Sequence, residues 1–104
     1  ERERPGARFE IETRMSDQPI ELPADHPLVA AIVDETETTL GFRPGLGGMS
    51  GSTVAKMCMS HGIPAVNFAP GDNNVAHMAN EYVRVDSLVE FAHVLARILM
   101  KLLR

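Results

Sequence analysis

The residues best suited to chemistry lie in two consecutive stretches. The first is Gly62-Ile63-Pro64-Ala65-Val66-Asn67-Phe68-Ala69-Pro70-Gly71, and the second is Ala76-His77-Met78-Ala79-Asn80-Glu81-Tyr82. A neutral imidazole is a natural zinc ligand. The carboxylate of Glu81, four residues on, can hold a ligand's far nitrogen or cap a nearby backbone turn, and Asn80 can do either as well. Zinc takes about four ligands, so His77 points to partners that this stretch does not contain. The other histidines do not complete a set: His26 falls at a helix start, His61 at a helix end and His93 within the last helix. Neither His-Glu-x-x-His nor Cys-x-x-Cys occurs. Without a metal, His77 reads as a loop histidine and Glu81 as a solvated acid. Asp72, Asn73 and Asn74 read as turn formers.

A second candidate is Pro44-Gly45-Leu46-Gly47-Gly48-Met49-Ser50-Gly51-Ser52. Such glycine density marks a backbone that turns sharply or approaches something closely. Its N–H groups could cradle an anion if Ser50 to Ser52 open a helix. The stretch lacks the Gly-Lys-Ser/Thr of a phosphate loop, since Lys56 comes too late. It also misses Gly-x-Ser-x-Gly, because Ser52 stands where the last Gly belongs. An unliganded tight loop accounts for it equally well.

Several elements must position these residues. Phe9, Ile11, Thr13 and Met15 alternate with Arg8, Glu10, Glu12 and Arg14, which predicts a strand with one face buried. Residues 16–23 read as a linker. A helix is expected from Asp25-His26-Pro27, with Asp25 or His26 as cap and Pro27 in the first turn. Leu28, Val29, Ile32, Val33 and Leu40 form its apolar stripe, Glu35 and Glu37 lie off it, and Gly41 ends it. A second helix spans about 52–61, with Val54, Met57, Cys58 and His61 on one stripe and Gly62 as terminator. Residues 65–68 predict a short buried strand, 69–77 a loop and 82–85 an extended segment. In the last helix, Ser87-Leu88-Val89-Glu90 reads as a capping box. Leu88, Phe91, Ala92, Leu95, Leu99 and Leu102 form its apolar stripe, and Lys101 and Arg104 sit where the helix dipole favours cations. The alternation predicts a layered α/β domain, with the first strand out of character.

Composition narrows the function classes. The 104 residues fit one small domain or a fragment of a larger one. At 44% hydrophobic and 23% charged, the chain has the profile of a globular protein. The net charge of -4, with no basic cluster, argues against nucleic-acid binding. Cys58 has no second cysteine to pair with, so a reducing, cytoplasmic home is expected; it reads as a small buried hydrophobe. Glu1 to Gly6 lacks the apolar core of a signal peptide. No apolar run approaches the roughly 18 residues of a membrane span, so no membrane role is expected.

The motifs, taken in order, resemble the C-terminal part of the zinc-dependent amidohydrolases and peptidases that include acetylornithine deacetylase, succinyl-diaminopimelate desuccinylase, aminoacylase and glutamate carboxypeptidase. Gly47-Gly48-Met49-Ser50 is similar to that family's Gly-Gly-Thr-Ser-Asp loop. Gly62 to Gly71 is similar to its Gly-Ile-Pro-x-Val-x-Phe-Gly-Pro-Gly segment. Ala76 to Val83 is similar to its Ala-His-x-x-Asn-Glu-x-Val motif. Three positions depart from the pattern. Met49 stands for Thr, Gly51 for Asp and Ala69 for a usual Gly. The first two remove a hydroxyl and a carboxylate from behind the pocket and bear on substrate preference.

The resemblance implies a fragment of a layered α/β zinc-peptidase catalytic domain, residues 23–104. It would be preceded by the last strand of an inserted α+β lid domain and a return linker, residues 1–22. It implies two zinc ions per complete site, with cobalt or manganese as alternatives. His77 would be a metal ligand, and Gly47, Gly48, Met49 and Ser50 would contact substrate. Asn80 and Glu81 would support from behind. It also implies a homodimer formed through the lid. Bound metal acidifies water so that it can attack an amide carbonyl. The proton-shuttling Glu and the remaining ligands would come from segments outside this chain, so no catalytic residue is assigned within it. The substrate would be an N-acyl amino acid or small peptide, and the chain alone would be inactive. The competing expectation is a non-catalytic binding or scaffolding relative that keeps the fold.

Overall fold

The computed structural model describes residues 6–104. The signal-peptide reading, apart from Gly6, and the first part of the lid segment fall on residues 1–5, outside the described residues.

Helix α1 (Pro27–Leu40) begins as its sequence dictates. His26 has extended backbone, and its Nδ1 accepts from the Leu28 N–H at 3.1 Å, while Pro27 takes the first position. Gly41 ends α1 in the left-handed region (φ 78), with its N–H donating to the Glu37 carbonyl at 3.0 Å. Helix α2 (Val54–Ser60) is short and closes on Gly62 (φ 77). A 3₁₀ turn spans Asn73–Val75, and helix α3 spans Val85–Leu102.

Helices α1 and α3 pack on each other. Ala31, Val94 and Ile98 are buried together, with Ile32, Leu40 and Phe68 against them. The Phe68 ring lies 5.2 Å from Phe91, tilted by 45°, which fastens the segment after α2 to α3. Thr36 is buried at no cost in hydrogen bonds, because its Oγ1 donates to the Ile32 carbonyl at 2.7 Å. Arg97 Nε donates to Glu35 Oε2 at 2.8 Å, and Lys101 lies 3.6 Å from the same carboxylate. Glu35 thus lies at the α1–α3 seam rather than off the stripe, because a carboxylate there can meet two cations.

Three other expectations are corrected. In α2 the buried residue is Ala55, while Val54 and Met57 are exposed. Helix α3 starts two residues before the expected capping box; Arg84 takes the N-cap position without a side-chain bond, and the Asp86 carboxylate accepts from the Ser87 N–H at 3.1 Å. An acid in the first turn meets the helix dipole as the Ser hydroxyl would have met an orphan N–H. The leucine stripe of α3 faces outward. Leu88, Leu95, Leu99 and Leu102 are exposed, and Val94 and Ile98 face α1 instead.

Among the described residues every regular element is helical. Residues 8–15 form no strand, and Phe9, Ile11 and Met15 are 81–90% exposed. Residues 65–68 likewise form no strand, and the segment expected to be extended over 82–85 stops at Arg84 because Val85 opens α3. Alternation gives a segment an apolar face, but a strand exists only when a neighbouring backbone takes up its N–H and C=O groups. The radius of gyration is 19.0 Å, against about 13 Å for a compact chain of this length. Six buried apolar residues stand against twenty-one large exposed ones among the described residues. This core is too small for a closed globule.

Candidate metal centre

His77 sits in a tight turn built by its neighbours. Asp72 Oδ1 accepts from the Asn74 N–H at 2.9 Å and starts the 3₁₀ turn, and the Met78 N–H then donates to the Val75 carbonyl at 3.2 Å. His77 (φ 62) and Asn80 (φ 59) both have left-handed backbone, the only non-glycine residues to do so among those described. Asn tolerates this region and His does so less readily. Glu81 offsets part of that strain. Its Oε2 accepts from the His77 N–H at 3.2 Å, and its own N–H donates to the Met78 carbonyl at 3.2 Å. Of the two roles open to Glu81 in the sequence, it therefore caps the backbone turn. Its carboxylate meets the main chain of His77, and the ring makes no hydrogen bond among the described residues.

The ring is exposed. One imidazole has the right donor chemistry for zinc, but among the described residues no group of three His, Cys, Asp or Glu side chains converges. His26 caps α1, His61 Nδ1 lies 2.9 Å from the Met57 carbonyl, and His93 is exposed on α3. The described residues fit a metal as one corner of a cage, and they do not make a complete site.

The segment leading to His77 is held from two sides. The Ala65 N–H donates to Met59 Sδ at 3.3 Å, and Phe68 rests on Phe91. Gly71 (φ 115) begins the turn, where a Cβ would meet Val83 at 3.9 Å. Beside it lies a shallow hollow of about 150 Å³ lined by Gly71, Asp72, Tyr82, Val83, Arg84 and Ser87. Arg84 is already engaged there by Asp86, at 2.6 Å. Their hydrogen bond holds the Asp86 carboxyl below its usual range and raises the Arg84 guanidinium.

Gly47, Gly48, Met49 and Ser50 are exposed, and none is in a helix. No hydrogen bond joins them to the His77 turn among the described residues. Their one side-chain link is to Asn67, whose Nδ2 donates to Met49 Sδ at 3.4 Å. Asn67 carried no signal of its own in the sequence, because it falls at the unspecified position between Val66 and Phe68 of the Gly62 to Gly71 segment. Cys58 is half-buried and unpaired, and no described helix is long and apolar enough to cross a membrane.

The family model for "Peptidase family M20/M25/M40" matches residues 4–101. A Bacillus subtilis (strain 168) protein described as "Putative dipeptidase YtjP" is 28% identical over 96 residues, covering 92% of this chain and 20% of that protein. The chain therefore spans about a fifth of the length of that curated relative. No solved structure matches significantly. Because that family model covers nearly the whole chain, the chain belongs to Peptidase family M20/M25/M40.

Proposed function

We propose that this chain is the C-terminal part of a metal-dependent hydrolase that cleaves the amide bond of small peptides or N-acyl amino acids. The similarity to a protein described as a dipeptidase favours the peptide class. His77 carries the reading: an exposed imidazole on strained backbone, with a carboxylate fastening the turn beneath it. Strain of this kind concentrates at functional sites.

In this reading residues 23–104 complete an α/β catalytic domain whose sheet partners are elsewhere in a longer polypeptide. Residues 1–22 are the last strand of a lid domain and its return linker. The bare faces of residues 8–15 and of α3 support this, since both need further chain to cover them. The complete site holds two zinc ions, or cobalt or manganese, which supply acidified water for attack on a carbonyl. His77 ligates one ion. Gly47, Gly48, Met49 and Ser50 receive the substrate's amide or carboxylate end, and Asn80 and Glu81 keep the turn in shape. The protein acts in the cytoplasm as a homodimer formed through its lid, with neither nucleic acid nor membrane as partner.

The second reading, a non-catalytic binding or scaffolding relative, is favoured by Gly51 and Met49, which lack polar side chains that the resemblance leads one to expect. Upstream sequence separates the two: a His-x-Asp motif and a Glu-Glu pair support the enzyme. In the complete protein, His77→Ala is expected to lower both bound zinc, by elemental analysis, and amide hydrolysis more than tenfold (about the effect of a lost ligand partner or more). Unchanged zinc content removes His77 from the site.

A further inference from the structure

We propose that Asn67 is a positioning residue for the substrate loop, acting through the sulfur of Met49. The inference rests on the reading of residues 47–50 as the loop that receives substrate. It adds what holds that loop in place.

The loop between α1 and α2 is almost bare. At Gly45, Gly47, Gly48 and Gly51 an added Cβ would meet nothing within 4 Å, so open space lies where a side chain at these positions would project. Among the described residues, none of its backbone groups from 44 to 52 donates or accepts a hydrogen bond. Glycine-rich chain of this kind is costly to order. Met49 reaches out of it to the Asn67 amide, 18 residues further on.

Asn67 stands on firm ground. Two residues before it, the Ala65 N–H is held by Met59 of α2, and the next residue, Phe68, is fixed against Phe91 of α3. The contact therefore joins a loose loop to a fastened segment. A thioether is a weak acceptor, so the link restrains the loop and yields when substrate enters. Losing it leaves substrate to order the loop on arrival, a cost that falls on binding rather than on the chemical step.

The test uses the complete, zinc-loaded protein, with dipeptides and N-acetyl amino acids as probes. Asn67→Leu is expected to raise KM about threefold, the scale of one weak hydrogen bond, with a smaller change in kcat. It should also speed amide hydrogen exchange at residues 47–50 and leave bound zinc unchanged. Asn67→Gln, which keeps the amide donor, should recover part of the loss. Met49→Leu combined with Asn67→Leu should be no worse than Asn67→Leu alone. Independent, additive effects of the two substitutions, an unchanged KM and exchange rate in Asn67→Leu, or loss of zinc would each overturn the proposal. If the unsubstituted protein turns over none of the probes, the hydrolase reading fails, while hydrogen exchange still decides whether Asn67 holds the loop.

Discussion

Replacing Glu81 by Ala in the complete protein should loosen the His77 turn and weaken zinc binding there. The magnitude follows from two opposed quantities. A non-glycine residue in left-handed backbone costs roughly 1–2 kcal/mol. A hydrogen bond to a charged acceptor returns about 1.5–3 kcal/mol. The bond at His77 is 3.2 Å long and lies among exposed residues, which places it at the low end or below, at about 1 kcal/mol. It therefore offsets much of the strain at His77, and without it the turn opens for a larger share of the time. Zinc affinity is expected to fall about fivefold, the equivalent of that energy. Competition against a chromophoric chelator reads this directly, with hydrogen exchange at residues 77–81 as a parallel measure. Glu81→Gln keeps an acceptor oxygen without its charge and should fall between the two. If Glu81→Ala binds zinc as tightly as the parent and exchanges no faster, the carboxylate does not hold the turn. If zinc is lost altogether, Glu81 acts as a ligand and its role as a cap is wrong.

Two further outcomes follow from the helix pair and from the start of α3. Ile98→Ala should destabilise the complete protein by about 2–4 kcal/mol, because Ile98 is 4% exposed and its removal leaves a gap against Ala31 and Val94; a loss below about 0.5 kcal/mol in denaturant unfolding would mean the gap closes. Asp86 has its pKa lowered by Arg84, so its contribution is complete above the ordinary carboxylate value of about 3.9 and disappears as pH falls through the lowered value. Asp86→Asn should therefore flatten the acid limb of the stability profile below about pH 4, more at low salt than at high salt, because the pair is exposed.

The helices were legible wherever their ends are chemically marked. His26-Pro27 and Gly41 bracket α1 because a cap, a fixed φ and a left-handed terminator are local properties of those residues. The last helix was legible as a helix, but its seat was not. Leu88, Leu95, Leu99 and Leu102 make the more apolar stripe, yet α1 lies against Val94 and Ile98. A helix with two apolar faces does not say which neighbour takes which. The strands expected at residues 8–15 and 65–68 do not form among the described residues, because alternation or apolarity supplies only half of what a ladder requires. His77 stood out by its motif and Glu81 by its spacing, but only the hydrogen bond from the His77 N–H to the Glu81 carboxylate distinguished a turn cap from a support for the ring.

The seam between α1 and α3 reaches beyond stability. Both the glycine loop and the His77 turn lie within residues 41–84, strung between the two helices like a rope between posts. Moving the posts apart would draw the chain between them tighter. Arg97 and Glu35 thus belong to a clasp across the two helices that bound this span. Lengthening the span by a residue or two should be tolerated best near Gly45 or Gly51, where nothing rests on the chain, and worst at 65–68, where it is pinned from both sides.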